Sequence, residues 1–338
     1  MIKNTYDFGE KELKESNQVK TSLKFNIKDY ESSIRDAYAF YLSKIILKNK
    51  KFVLIDADLG TVAKTLDFKK TLGSRYIQIG IAEQNGIGVA AGVAQFGKIP
   101  IFQSLSVFLT GRPYDQIRES ICYSKLNVKL VGLHAGMTLS PDGATHQTGE
   151  DIALMSSLPN MQIYAPSDSH QLKLMLPKFL NTKNPSYLRL FFPAAKLISK
   201  SKKFTINKLQ IIRPLKKYNI LSYGYMLQKC DEVIERLKSY NINLGLINCH
   251  TIKPFDNKNF IKISKLSKII FVVEDHNSYG GVGSLITQIV SSKYPKKIIS
   301  INTKDKFGTT GLPDENLDYL GLSTKKIMKE ILKHVFKK

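Results

Sequence analysis

From Ser33 to Leu47 apolar residues recur at every third or fourth position, the spacing of a helix with one buried face. Lys50–Ala57 follows as a continuous apolar run, the signature of a strand buried on both sides. The same alternation continues. Tyr76–Ile81, Pro100–Leu105 and Val128–Leu133 read as strands; Glu83–Phe96, Asp115–Ser124 and Glu150–Ser157 read as helices, and the pattern persists through Arg189. Beyond a Lys-, Ser- and Pro-bearing stretch, a second series starts at Asn219. It has strands at 219–225, 243–250 and 268–275, helices at 230–240, 258–266 and 284–292, and an amphipathic helix over Ser323–Phe336. Strands alternating with helices predict parallel sheets covered on both faces. The expected organisation is an N-terminal arm over 1–26, a first domain over 27–192, a linker over 193–216 and a smaller second domain over 217–338. The fold class is therefore α/β, with two doubly wound α/β domains.

Composition narrows the class. Of 338 residues, 43 % are hydrophobic, enough for two cores, and no apolar stretch reaches the roughly 18 residues of a membrane span. The polar start argues against a secretory leader, and three cysteines without C-x-x-C spacing suit a reducing, cytoplasmic setting. Lys and Arg exceed Asp and Glu by 51 to 28, a net charge of +23. The basic residues are scattered as pairs such as Lys69-Lys70 and Lys216-Lys217, without a block interleaved with aromatics. That distribution predicts no nucleic-acid binding, and is compatible with anionic small substrates, an acidic partner or a plain compositional bias toward lysine.

Three stretches carry candidate chemistry. Glu83 follows an apolar strand and opens a helix of small residues, at the strand end where open α/β sheets bind ligands; a helix-capping acid would look the same. The loop from His134 to Gln147 is rich in turn formers and holds two of the six histidines, His134 and His146, without metal-ligand spacing. Between them lies Ser104–Ile117, with Phe108, Arg112 and Tyr114.

In this order the three stretches resemble the pyrimidine-binding domain of thiamine-diphosphate enzymes of the transketolase and 1-deoxyxylulose 5-phosphate synthase group. The matching segments are Arg75–Asn85, Tyr114–Arg118, the Asp-Gly-x-Thr-His-Gln loop at 142–147, Leu158–Met161 and Ala165–Asp168. Ser222–Gly224, Lys253–Asp256 and Val273–Asp275 resemble the group's C-terminal domain, so the likeness spans about nine tenths of the chain. Within the group the chain is similar to the separate C-terminal subunit of a split transketolase.

The resemblance implies thiamine diphosphate as cofactor. Glu83 would hydrogen-bond the pyrimidine ring nitrogen from a seat among Ile81, Ala82 and small helix residues, Phe108 would stack on the ring, and His146 would lie beside its amino group. Leu105 stands where the group has a second pocket aromatic, and Asp58 lies on the cofactor side or at the subunit boundary. On the substrate, His134 would contact carbonyl and hydroxyl oxygens and Asp142 a sugar hydroxyl, with Arg35 and Arg189 on a phosphate and Arg112 close by. Val62 replaces a phosphate-binding serine. No Gly-Asp-Gly occurs, so this chain holds no metal and the resemblance places diphosphate and Mg²⁺ on an N-terminal partner subunit, in a heterotetramer built on a self-paired dimer. The expected reaction is two-carbon ketol transfer between phosphorylated or nucleotide-linked sugars. Alternatives are a specialised carbohydrate-biosynthesis enzyme, a synthase-like acyl transfer and a non-catalytic interaction module; a 2-oxoacid dehydrogenase beta subunit fits the Thr-His-Gln loop less well.

Overall fold

The computed structural model describes residues 31–199 and 204–336, and the expected arm over 1–26 lies outside them. Apolar runs became strands as anticipated. Phe52–Asp56, Ile99–Leu105, Lys129–Leu133 and Ser186–Arg189 are almost wholly buried. With Tyr76–Gln78 and Gln162–Tyr164 they form a parallel sheet in the order 162–164, 186–189, 129–133, 99–105, 52–56, 76–78. Helices cross over between them. Ile34–Ile46 begins at Ser33, whose hydroxyl accepts the Asp36 amide, and Ser169–Asn181 begins at Asp168, whose carboxylate accepts the Gln171 amide at 2.7 Å.

The small residues of helix Glu83–Gln95 have a steric reason. A Cβ at Gly86 would lie 2.7 Å from the Phe102 ring, so the helix can approach strand Ile99–Leu105 only with glycine there. That approach sets Glu83, the first helical residue, against the carboxyl end of the sheet.

In the second domain, Lys297–Ile301, Ile269–Val273, Tyr218–Ser222 and Leu244–Asn248 pair in parallel, and Gln210–Arg213 closes the edge antiparallel to Leu244–Asn248. Helices Met226–Leu237, Asn257–Leu266, Val282–Lys293 and Thr324–Val335 cover it.

The boundary between the domains departs from the expectation. The stretch 193–216 is not simply a linker: Ala194–Lys196 pairs with Glu31–Ser33, and Gln210–Arg213 is a strand of the second sheet. Thr251–Lys253, from the second domain, adds an antiparallel edge strand to the first sheet beside Gln162–Tyr164. Each of these strands is three or four residues long, too short to show a period of its own, and each exists because a distant partner completes its hydrogen bonds.

Candidate active site

Four elements meet in one place: helix Glu83–Gln95, strand Ile99–Leu105, helix Ser106–Gly111 and the turn Ala144–His146. Glu83 is only 3 % exposed although it begins a helix at the sheet's rim. Ser104, the penultimate residue of its strand, donates its hydroxyl to Glu83 Oε1 at 3.2 Å. Arg112, just past helix Ser106–Gly111, donates Nη1 to both carboxylate oxygens, at 3.1 and 2.9 Å. The guanidinium carbon also lies 3.8 Å from the centroid of the Phe108 ring, so one plane of cation covers one aromatic surface. On the Phe108 ring stands the His146 imidazole, edge-on at 5.2 Å, with Nδ1 bonded to the Thr145 hydroxyl at 3.0 Å. Glu83, Arg112, Phe108 and His146 thus form a continuous chain of contacts.

His134 lies at the end of strand Lys129–Leu133 in the left-handed conformation, φ 55°. It packs edge-on against Phe192 at 4.8 Å, and its Nε2 is buried without a protein partner. Burial, helped by the positive charge of Arg35, lowers its pKa to about 4, so the imidazole is neutral at pH 7. The hydroxyls of Thr138, Ser140 and Thr148 in the same loop are also buried and unpartnered. Buried hydrogen-bonding groups left in this state call for a polar ligand or ordered water. Asp142 is exposed on the turn that the Gly143 amide closes onto the Ser140 carbonyl at 3.1 Å.

Several expected roles change. Arg189 is no phosphate ligand in this arrangement: it is 2 % exposed, with Nε on Asp151 Oδ2 at 2.8 Å and Nη1 on Asp275 Oδ1 at 3.1 Å. Both carboxylates are fully buried, so freeing the guanidinium for a substrate would strand two charges. Ile81 is 73 % exposed and does not wall in Glu83, whose neighbours are Ser104 and Arg112. Arg112 meets the Glu83 carboxylate, and no hydrogen bond from its side chain to the 134–147 loop is seen among the described residues. Leu105, which stands where a second pocket aromatic was expected, packs into the apolar core. Arg35 pairs with Asp36 at 3.2 Å and acts on His134 through its charge. Asp58 stands exposed beyond strand Phe52–Asp56, its amide donating to Gln78 Oε1 at 3.0 Å. Ser104 and Phe192 were not singled out beforehand. An apolar strand end gives no sign which of its residues will face the rim.

Two adjoining α/β domains that offer a buried carboxylate, an aromatic face and two histidines, His134 just past a parallel strand and His146 in the loop that follows it, make a ligand-binding α/β subunit. The family described as "Transketolase, pyrimidine binding domain" matches residues 31–192, and "Transketolase, C-terminal domain" matches 207–327. The chain belongs to the transketolase family, as a C-terminal subunit of a split transketolase, a transferase that works with a partner subunit. It is 34 % identical to the 6-deoxy-6-sulfo-D-fructose transketolase subunit SqwH of Clostridium sp. (strain MSTE9), over 90 % of this chain and 95 % of that one. A putative transketolase C-terminal section of Methanocaldococcus jannaschii is 36 % identical over 90 % and 96 % of the two chains. Among solved structures, a split gene transketolase described as an inactive beta4 tetramer superimposes with a TM-score of 0.80 at 33 % identity, covering 89 % of this chain and 97 % of that one. Among the described residues no helix is long and apolar enough to cross a membrane, and no group of three or more His, Cys, Asp or Glu side chains is placed to hold a metal ion.

Proposed function

We propose that this subunit supplies the pyrimidine seat and the sugar-binding loop of a thiamine-diphosphate-dependent ketol transfer. The observation that carries the reading is the contact chain from buried Glu83 through Arg112 and Phe108 to His146. The side chains fit the cofactor's pyrimidine: a carboxyl group sealed from water on all but the Arg112 side, a flat aromatic surface beside it, and an imidazole at the far edge of that surface. The bound cofactor supplies the carbon that carries the two-carbon unit.

This chain's residues then have distinct tasks. Glu83 would hydrogen-bond the ring nitrogen and so bias the protonation of the ring's amino group, and His146 would stand on the side of that amino group. Neutral His134, with Nε2 free, meets a carbonyl or hydroxyl oxygen of the sugar, and Asp142 accepts a hydroxyl. With Arg189 enclosed, Arg35 is the arginine of this chain offered to an anionic sugar.

The diphosphate and Mg²⁺ sit on an N-terminal partner subunit in a cytoplasmic heterotetramer. Supporting this are the lack of a Gly-Asp-Gly motif, the near-complete match to a separate C-terminal section and three buried free cysteines. Calorimetric titration of thiamine diphosphate with Mg²⁺ tests the division. Heat from the two-subunit complex but not from this chain alone is the expected result; tight binding to the lone chain, or none to either, overturns it.

A further inference from the structure

The loop that carries His146 is held from outside its own domain. Asn316, buried in the short helix Pro313–Tyr319, donates Nδ2 to the Met137 carbonyl at 2.6 Å and accepts the Thr309 amide on Oδ1 at 2.8 Å. The Thr309 carbonyl accepts Gln147 Nε2 at 3.0 Å. The Gly311 amide donates to the Ser140 carbonyl at 3.3 Å, and the Asn277 amide to the Gly149 carbonyl at 2.7 Å. The start of the stretch 137–149, at Met137 and Ser140, and its end, at Gln147 and Gly149, are therefore tied to the C-terminal domain on either side of Asp142 and His146. Gly308 completes the fit: a Cβ there would lie 2.0 Å from Gln147 Oε1 and 2.7 Å from Asn316 Oδ1.

Within itself the loop is lightly bonded through its backbone, by Thr148 to Gly136, Gly143 to Ser140, His146 to Gly143 and Gln147 to Ala144. Such a loop holds one conformation only if outside contacts select it. The one amide group of Asn316 bridges Met137 and Thr309, donating to the first and accepting from the second.

We propose that the C-terminal domain clamps the substrate loop through Asn316, a positioning residue that sets His146 and Asp142 for the reaction. The proposal rests on the reading of 134–147 as the sugar-binding loop. It gives the C-terminal domain a part in substrate binding although none of its side chains touches the Glu83 group among the described residues.

The test uses the assembled two-subunit complex and two variants. Asn316→Asp keeps the acceptor for Thr309 but turns an acceptor toward the Met137 carbonyl. Gly308→Ala keeps every hydrogen-bonding group and wedges Gln147 and Asn316 apart from the opposite side, so it stands in should Asn316→Asp not assemble. Hydrogen exchange across 137–149 is expected to quicken at least about fivefold, and kcat/KM for the ketose donor to fall by about 10- to 100-fold, chiefly through KM. The Kd for thiamine diphosphate should stay within about twofold of wild type. Unchanged exchange in both variants, or a loosened loop with unchanged KM, overturns the clamp. A wild-type complex without ketol transfer counts against the functional reading alone, because the exchange measurement still decides whether Asn316 holds the loop.

Discussion

Arg112 and Glu83 share two hydrogen bonds, yet Glu83 is 3 % exposed and Arg112 45 %. The carboxylate is fixed and the guanidinium is free to leave. While it stays, Arg112 covers both the carboxylate and the Phe108 ring, the two surfaces of the proposed pyrimidine seat. A half-exposed ion pair of this kind contributes at most about 1 kcal/mol. Arg112→Ala is therefore expected to tighten thiamine-diphosphate binding by the two-subunit complex by about 2- to 5-fold. Calorimetry reads this directly. A weakening of similar size would mean that Arg112 holds the cofactor instead of competing with it.

Glu83→Gln preserves size and the Ser104 contact but removes the proton-exchanging oxygen. Loss of positioned acid–base chemistry lowers rates by about 10² to 10⁴. Ketol transfer by the complex should fall within that range, with the thermal unfolding midpoint of the subunit within a few degrees of wild type. Retained activity would remove Glu83 from the mechanism.

Much of this was legible in the order of residues, and the exceptions share a cause. Helix Glu83–Gln95 and the strand Phe52–Asp56 declare themselves by period and by continuous apolar character. Gln210–Arg213 and Thr251–Lys253 do not, because partners distant in sequence make them strands, in the second case across the domain boundary. The Lys297–Ile301 strand, with mixed exposure, was likewise missed. Within the site, Glu83, Phe108 and His146 were found by motif and are joined in space. Arg189 was misplaced because an arginine at a strand end looks the same whether it faces a pocket or a domain interface. Its carboxylate partners lie 38 and 86 positions away.

The enclosed Arg189 separates two roles by experiment. An arginine that binds a substrate phosphate can be replaced with little effect on folding. Arg189→Met leaves Asp151 and Asp275 buried without their cation, with only the Tyr187 and Ser106 hydroxyls still donating to Asp151, at 2.8 and 3.3 Å. Breaking one side of a buried pair costs about 3–5 kcal/mol. The expected outcome is a large drop in the denaturation midpoint or insoluble protein; a stable variant with only a raised KM for a sugar phosphate would restore the substrate role.

His134 gives the subunit an acid sensitivity whose sign is fixed. Its folded pKa, lowered to about 4 by burial and by the Arg35 charge, lies below the ordinary 6.5. Between these values the unfolded chain binds the proton and the folded chain does not, so this residue's contribution to stability is constant above 6.5 and falls as pH drops toward 4. His134→Gln removes the titration and keeps a polar side chain. Denaturation of both proteins at pH 7.5 and 5 should give a stability difference that moves in favour of the variant at the lower pH, by about 1.4 kcal/mol per pH unit at most. A difference independent of pH would mean that His134 titrates alike in the folded and unfolded chains, and that burial and the Arg35 charge do not hold its imidazole neutral at pH 5.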